Sequence, residues 1–128
     1  MSNALLMDTD VLIDYLRGQP EAVSFLQSAT ATLRVAAPTV AELYVGVRQG
    51  REREVLNRFV DTFEVVSVTA EIARRAGLWR RDYGRSHGTG LMDALIAACA
   101  EATGSRLVTL NEKHFPMLSN VLVPYRKG

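Results

Sequence analysis

The sequence predicts an α/β fold in which a central parallel β-sheet is covered by helices on both faces. Short apolar segments, typical of buried strands, alternate along the chain with longer segments of helical periodicity, and this alternation is the usual pattern of a parallel sheet. The segment 90–103 is apolar nearly all round and therefore predicts a central helix. The chain has 128 residues and no repeat, low-complexity tract or Pro/Gly-rich linker, so we expect a single domain over residues 1–128.

The N-terminal half begins with a strand. Residues 4–7 are apolar and run directly into a predicted helix at 9–17, which Gly18 and Pro20 end. The remaining segments of this half predict a helix at 20–28, a strand at 33–37, a helix from 38 to about 49 and an amphipathic helix at 51–62.

The C-terminal half continues the alternation. Its segments predict, in order, a strand at 64–68, an Arg-rich helix at 69–83, a polar loop at 84–90, the central helix at 90–103, a strand at 106–110 and a short strand at 121–123. Gly104 is well placed to cap the central helix, because glycine readily adopts the left-handed conformation found after helix C-termini. The order of strands and helices therefore favours a parallel sheet.

Three acidic residues interrupt apolar stretches of the chain. Asp8 follows the first strand, Glu42 lies inside an apolar helical segment, and Asp93 opens the central helix. Carboxylates are rarely buried unless they are paired or bind a metal. In an open parallel sheet, ligands bind beyond the carboxyl ends of the strands, and each of these acids is predicted to lie at that edge. We therefore expect Asp8, Glu42 and Asp93 to share one cation.

The types of donor indicate which metal such a site binds. Oxygen ligands from several segments, without a cluster of His or Cys, favour Mg²⁺ or Mn²⁺ over zinc. Asn111 and Glu112 follow the predicted strand at 106–110 and are candidates for a fourth position. A divalent cation would relieve the repulsion between neighbouring carboxylates, generate a nucleophile from bound water and stabilise charge on a transferring phosphoryl group.

Each acid also has a purely structural interpretation. Asp8 or Asp10 is a suitable N-cap for the first helix. Residues 39–42, Thr-Val-Ala-Glu, match the capping box pattern, which accounts for Glu42 without any catalysis. Asp93 suits the positive end of its helix. The functional interpretation depends on all three acids facing one edge of the sheet.

The charged residues are unevenly distributed. Residues 1–47 carry a net charge of −3, residues 48–85 a net charge of +3, and the rest of the chain +1. Nearly all of the fifteen basic residues are Arg, whose planar guanidinium suits bidentate contacts with phosphate. A basic region beside an acidic site favours a polyanionic substrate, with Arg80, Arg81 and Arg85 as candidate contacts to its phosphates. A source genome of high GC content would explain the arginines equally well.

The sequence shows no sign of export or membrane insertion. The longest apolar run, Ala94–Ala100, has seven residues and is far too short to span a bilayer. The segment Met1–Ala4 lacks the basic and apolar parts of a secretion signal. A single cysteine, Cys99, excludes an intrachain disulfide. We therefore expect a cytoplasmic protein without membrane contacts.

Four segments resemble the motifs of PIN-domain ribonucleases, in particular the VapC toxins of VapBC toxin–antitoxin modules. Leu6–Asp14 is similar to the opening motif of that family, and Val40–Gly46 is similar to the helix that carries Glu-Leu with a Gly four residues after the Glu. Leu91–Ala98 looks like the third motif, an Asp followed by an apolar helix, and Leu107–Phe115 looks like the fourth. The order and spacing agree, so the resemblance covers nearly the whole chain.

This resemblance implies a three-layer α/β/α PIN-like domain and a Mg²⁺- or Mn²⁺-dependent endoribonuclease whose RNA substrate would contact the arginines named above. It implies catalytic and metal-binding roles for Asp8, Glu42 and Asp93, a homodimer, and inhibition by a cognate VapB-type antitoxin in a heterotetramer or larger assembly. The family commonly carries an acid at the position of Asn111 or of His114, and this chain has neither. One-metal and two-metal catalysis therefore both stay open.

The antitoxin is expected to dock through a helix. Phe25, Leu26, Tyr44 and Val47 are predicted to leave an apolar groove that accepts it. A basic side chain of the partner would enter the acidic pocket, because concentrated negative charge attracts an arginine as well as a metal. The arginine and the metal would then compete for one site.

Two other functions are compatible with these residues. Asp8-Thr9-Asp10 after an apolar strand is similar to the Asp-x-Asp of haloacid-dehalogenase-type phosphatases. In that enzyme Asp8 would be the nucleophile, and Lys113 is the only candidate for the lysine that the site requires. The second alternative is a non-catalytic PIN-like scaffold, which would bind RNA or a partner without cleavage because it has lost its fourth acid.

Overall fold

The computed structural model describes residues 3–126 of the chain. Its strands are β1 (Ala4–Met7), β2 (Thr32–Ala36), β3 (Glu64–Val66) and β4 (Arg106–Val108). Its helices are α1 (Thr9–Leu16), α2 (Pro20–Ser28), α3 (Ala37–Val45), α4 (Arg51–Val60), α5 (Ala70–His87) and α6 (Leu91–Ala102), followed by a 3₁₀ turn at Glu112–His114. None of these helices is long and apolar enough to cross a membrane.

The described strands form one parallel sheet in the order β3-β2-β1-β4. β1 is central, since Leu6 pairs with Arg34 of β2 on one side and with Leu107 of β4 on the other. Beyond β4, Leu122 forms a single parallel bridge with Val108, so the last predicted strand is reduced to one residue pair. Because all strands run in the same direction, their carboxyl ends lie along one edge. The segment that follows β1 is therefore near the middle of that edge.

Helices cover both faces of the sheet, and the predicted three-layer α/β/α fold is confirmed. Successive residues of a strand point to opposite faces. Leu6 accordingly packs against α5 and α6, while Met7 packs on the side formed by α1, α2, α3 and α4. Both side chains are fully buried, and Ile96–Ala100 of α6 is buried throughout. The nearly uniform apolar character of α6 thus reflects its central position.

The end of α5 differs from the prediction. The helix continues through Gly84 to His87, so the polar loop expected at 84–90 begins only at Gly88. Gly88 has a φ angle of +67° and caps the helix in the left-handed conformation that glycine favours. At Gly84 the absent side chain leaves room for Arg80, because an added Cβ would collide with the Arg80 guanidinium. Arg80 is exposed and flexible and could move aside, so Gly84 lies inside the helix without a packing requirement. The helix end was predicted at the wrong glycine.

α3 (Ala37–Val45) begins and ends earlier than the predicted helix at 38–49. Pro38 lies in its first turn, where a missing backbone N–H costs nothing. Thr39 consequently lies inside the helix and cannot be its N-cap. The capping box predicted for Glu42 is therefore wrong, and the position of Glu42 needs another explanation.

Candidate active site

Asp8 stands directly after β1, at the carboxyl edge of the sheet. Its backbone N–H donates to Val108 O (2.8 Å), which keeps it aligned with β4. Its side chain caps α1, since the Thr9 N–H donates to Oδ1 (2.8 Å), and the Thr109 hydroxyl donates to Oδ2 (2.7 Å). The interpretation of Asp8 as an N-cap is therefore correct. A cap does not require burial, however, and Asp8 is only 6% exposed.

The carboxyl group of Asp8 has a strongly shifted pKa. Burial raises the pKa from its ordinary value of 3.8 to about 7, and the charge of Asp10 and, to a smaller degree, that of Asp93 contribute to the rise. The hydrogen bonds from Thr109 and Thr9 act in the opposite direction. Asp8 therefore shares one electrostatic environment with Asp10 and Asp93, and these three carboxylates form an acidic cluster. Groups perturbed in this way are concentrated at functional sites.

Asp10 belongs to the same cluster, although the sequence predicts it only as an alternative helix cap or as the second acid of a phosphatase motif. Its Oδ2 accepts hydrogen bonds from Leu110 N (3.1 Å) and Asn111 Nδ2 (3.2 Å), and its Oδ1 accepts one from Val11 N (2.7 Å). Burial raises the pKa of Asp10, and these backbone hydrogen bonds oppose the rise. Its spacing two residues after Asp8, at the end of a strand, is the signal that could have identified it.

Glu42 is held by hydroxyl groups and not by a helix cap. It lies in the second turn of α3, and its Oε1 accepts a hydrogen bond from the Thr9 hydroxyl (2.7 Å). The Thr39 hydroxyl lies 3.1 Å from the same Thr9 oxygen. Because a hydroxyl group has a single proton, Thr9 donates to Glu42 and accepts from Thr39. These hydrogen bonds hold the Glu42 carboxylate beside Thr9, the residue that follows Asp8.

Asp93 lies in the first turn of α6. Its Oδ2 accepts a hydrogen bond from Gly90 N (2.9 Å) and lies 3.5 Å from His114 Nδ1. The contact with Gly90 confirms the interpretation of Asp93 as an acid at the positive end of a helix. Asp93 is also close enough to Asp8 for its charge to affect the Asp8 pKa. One carboxylate thus serves both the helix end and the acidic cluster.

The two candidates for a fourth position have different surroundings. Asn111 joins the cluster through its side-chain N–H, which donates to Asp10. Glu112 forms an exposed ion pair with Arg126 (3.1 Å). A direct contact of either residue with a cation stays a prediction.

The arginines predicted to bind RNA are exposed on α5. Arg80 lies across Gly84, Arg81 pairs with Asp82 (2.9 Å), and Arg85 is in the last turn. The ion pair of Arg81 is exposed and contributes little to stability, so it leaves the guanidinium free to exchange partners. Binding of RNA by these arginines stays a prediction.

The donor chemistry at this edge fits a hydrated divalent cation. Among residues 3–126, no three His, Cys, Asp or Glu side chains lie close enough together to hold a metal ion by themselves. Mg²⁺ commonly keeps several waters and uses one or two carboxylates, so it does not require a closed protein cage. Such an ion would also neutralise the like charges that raise the pKa of Asp8. The residues present therefore fit Mg²⁺ or Mn²⁺ held by few protein ligands.

An apolar groove lies beside Glu42. It has a volume of about 670 Å³, and Glu42 forms part of its wall. Its apolar lining comes from Ile13, Leu16, Leu43, Val47, Val55 and Leu56. Of the residues predicted to form such a groove, Val47 lines it, whereas Phe25 lines a smaller cavity of about 320 Å³. The groove therefore lies between α1, α3 and α4, next to the predicted site.

Comparison with known proteins identifies close relatives over nearly the whole chain. The sequence matches the PIN domain family over residues 5–118. It is 44% identical to Ribonuclease VapC10 of Mycobacterium tuberculosis over 124 residues, which cover 94% of this chain and 92% of that protein. It is 37% identical to Ribonuclease VapC19 of the same species, over 94% of this chain and 98% of that protein.

A solved structure agrees with these matches. The fold is similar to that of a chain in a toxin–antitoxin complex from Klebsiella pneumoniae, with a TM-score of 0.83 and 28% identity over 96% of this chain and 99% of that chain. Neither the family match nor these relatives support the phosphatase interpretation of Asp8. The fold, the acidic edge and the sequence matches all agree with the resemblance found in the four motifs. Both relatives named above are VapC ribonucleases, and the chain belongs to the PIN-domain family.

Proposed function

We propose that this chain is a cytoplasmic VapC-type toxin, an endoribonuclease that cleaves RNA phosphodiesters with Mg²⁺ or Mn²⁺. Two of its relatives are named ribonucleases. The observation that carries the proposal is the buried Asp8 carboxyl group, which has the charges of Asp10 and Asp93 close by at the carboxyl edge of the sheet. An enzyme site for a polyanion needs a cation at such a place, because carboxylates alone would repel the substrate.

In the proposed reaction, the chain provides carboxylate ligands for the cation and fixes their directions. Asp8, Glu42 and Asp93 would hold the hydrated cation, either directly or through its bound waters. When bound, it would provide a nucleophile from water and stabilise the charge that develops on the scissile phosphate. Thr109 fixes the direction of Asp8 through Oδ2, and Thr9 fixes that of Glu42 through Oε1. Preset ligand directions reduce the reorganisation that catalysis would otherwise require.

The RNA backbone would run beside the C-terminal part of α5. Arg80, Arg81 and Arg85 would grip its phosphates and would not read its bases, because guanidinium groups contact phosphate in any sequence. This part of the chain leads directly to α6 and Asp93. Phosphates held by the arginines would therefore be close to the cation.

We further propose that a VapB-type antitoxin holds the enzyme inactive. The similar chain from Klebsiella pneumoniae was solved in a toxin–antitoxin complex. The groove of about 670 Å³ suits the apolar face of a partner helix, and Glu42 forms part of its wall. A partner arginine that enters the cluster would compete with the cation. A homodimer with an antitoxin on each subunit would give a heterotetramer or larger assembly.

Cleavage of RNA by the purified chain tests the enzymatic proposal. We expect cleavage with Mg²⁺ or Mn²⁺ and none with EDTA, with Asp8→Asn or with Asp93→Asn. Asp61→Asn changes an exposed carboxylate at the end of α4 and is the matched control, which should stay active. Full activity in Asp93→Asn would refute the site assignment. RNA binding without cleavage in either metal would instead favour the non-catalytic scaffold.

Growth and inhibition assays test the toxin proposal. Expression of the chain alone should arrest growth, and expression of Asp8→Asn should not. Excess Mg²⁺ should partly relieve inhibition by a cognate antitoxin, because a partner arginine and the cation would compete for the same carboxylates. Harmless expression of the wild-type chain, with metal bound and no partner present, would count heavily against a toxin.

A further inference from the structure

His114 lies at the edge of the acidic cluster, and its ring has a defined orientation. Its Nδ1 is 3.5 Å from Asp93 Oδ2. The other edge of the ring faces Gly88, where an added Cβ would lie 3.5 Å from Nε2. The backbone is fixed as well, since the buried Thr89 hydroxyl donates to His114 O (2.7 Å) and the His114 N–H donates to Asn111 O (3.0 Å). His114 therefore presents Nδ1, and not Nε2, to the cluster.

The distance between Asp93 and His114 is compatible with two ligands of one ion. N–H···O hydrogen bonds usually span about 2.7–3.2 Å, and the 3.5 Å contact lies outside that range. Two ligands on adjacent corners of an octahedral ion, with bonds of about 2.1 Å, lie about 3 Å apart. A shift of about half an ångström would thus bring both atoms to one ion of this kind. The two side chains are 26% and 27% exposed, so a hydrated ion can reach them.

We propose that His114 is a nitrogen ligand of the cation site, beside Asp93, and that it makes the site prefer Mn²⁺ to Mg²⁺. This proposal rests on the metal-dependent function proposed above. Imidazole nitrogen is a softer donor than carboxylate oxygen and suits transition metals, whereas Mg²⁺ prefers oxygen. A neutral imidazole also adds a ligand without adding negative charge to a cluster that already contains Asp8 and Asp10.

Mn²⁺ is a direct probe of this ligand because it is paramagnetic. Electron spin echo measurements on bound Mn²⁺ detect the nitrogen nucleus of a coordinated imidazole. The chain has two histidines, and the other one, His87, is exposed at the end of α5 beside Ser86. We expect nitrogen modulation from the wild-type chain and from His87→Gln, and its loss in His114→Gln. Nitrogen-15-labelled histidine should change the modulation frequencies of the wild-type chain without any substitution.

Metal affinity gives a second readout that does not depend on catalysis. Mn²⁺ and Mg²⁺ are titrated separately into the metal-free chain, and binding is followed by the rise in melting temperature. His114→Gln should weaken Mn²⁺ binding by about 10- to 100-fold, the range found when groups that support a metal site are removed. Mg²⁺ binding should change much less. The melting temperature of the metal-free variant reports whether the fold is intact.

The outcomes separate this proposal from the proposed function. Mn²⁺ that binds without nitrogen modulation would overturn the role of His114 and leave metal-dependent cleavage intact. Modulation that persists in His114→Gln would have the same consequence. A folded chain that binds neither metal would refute the metal-dependent function and, with it, this ligand.

Discussion

Replacement of Asp8 by Asn should make the metal-free chain more stable at neutral and alkaline pH. In the wild-type chain, burial and the charges of Asp10 and Asp93 raise the pKa of Asp8 from 3.8 to about 7. An acid whose pKa is raised by folding keeps its proton in the folded chain at pH values where the unfolded chain has released it. The free energy of unfolding therefore decreases progressively as the pH rises from about 4 to about 7, and the full decrease is present above about pH 7.

The size of this effect follows from the shift. One pKa unit corresponds to about 1.4 kcal/mol, so a rise from 3.8 to about 7 corresponds to about 4 kcal/mol of lost stability. Because Asp8 and Asp10 share the repulsion between them, we expect a gain of about 2–4 kcal/mol from the substitution. The new amide keeps the local contacts, since its oxygen can accept from the Thr9 N–H and its nitrogen can donate to Thr109.

Urea unfolding in EDTA at several pH values measures the effect. Asp8→Asn should exceed the wild-type chain by about 2–4 kcal/mol near pH 8, and the difference should shrink as the pH approaches about 4. Asp61→Asn, which changes an exposed carboxylate, is the control and should follow the wild-type chain throughout. Saturating Mg²⁺ should reduce or reverse the advantage, because the wild-type chain then gains binding energy. A variant less stable than wild type near pH 8, or a difference independent of pH, would refute the reasoning.

Three further changes test other contacts. Thr9→Val removes the hydroxyl group that holds Glu42 and should lower RNA cleavage while costing about 1 kcal/mol in urea unfolding; unaltered cleavage would show that Glu42 needs no such support. Arg80→Gln combined with Arg81→Gln should reduce the slope of log affinity for RNA against log salt concentration by about two, because about one counterion is released per phosphate contact. An unchanged slope would assign both arginines to the solvated surface. Gly77→Ala should raise the free energy of unfolding by about 0.5–1 kcal/mol, since alanine favours the helix and an added Cβ meets nothing within 4 Å; a decrease would reveal a contact of α5 with a partner or neighbour.

Most of the fold could be predicted from periodicity because the central elements are buried so completely. β1 and α6 have apolar residues on every face that meets the core, and their bounds were predicted within one residue. The end of α5 could not be predicted in this way. Gly84 costs the helix about 1 kcal/mol relative to alanine, and packing of α5 against α6 offsets that cost. Local sequence contains no information about that packing.

The candidate site was predictable only in part. Asp8, Glu42 and Asp93 could be identified because a charged residue within an apolar segment requires a structural or functional explanation. The capping box at Glu42 was wrong because the helix begins two residues before Thr39, a shift that local propensity does not determine. A threonine in a sequence does not by itself indicate that it supports a carboxylate, because threonine is common in strands and at helix ends. The residues that hold the acids therefore became visible only in the structure.

Buried threonines orient the acidic cluster without neutralising it. Thr9 is 8% exposed and Thr109 is fully buried, and they donate to Glu42 and Asp8 respectively. A hydroxyl group is neutral, so these hydrogen bonds fix the carboxylate directions but leave the like charges in place. The pKa of Asp8 is accordingly still raised to about 7 in spite of two hydrogen bonds. Because folding leaves this repulsion uncompensated, a divalent cation or a partner's arginine should stabilise the folded chain more than a neutral ligand of the same size.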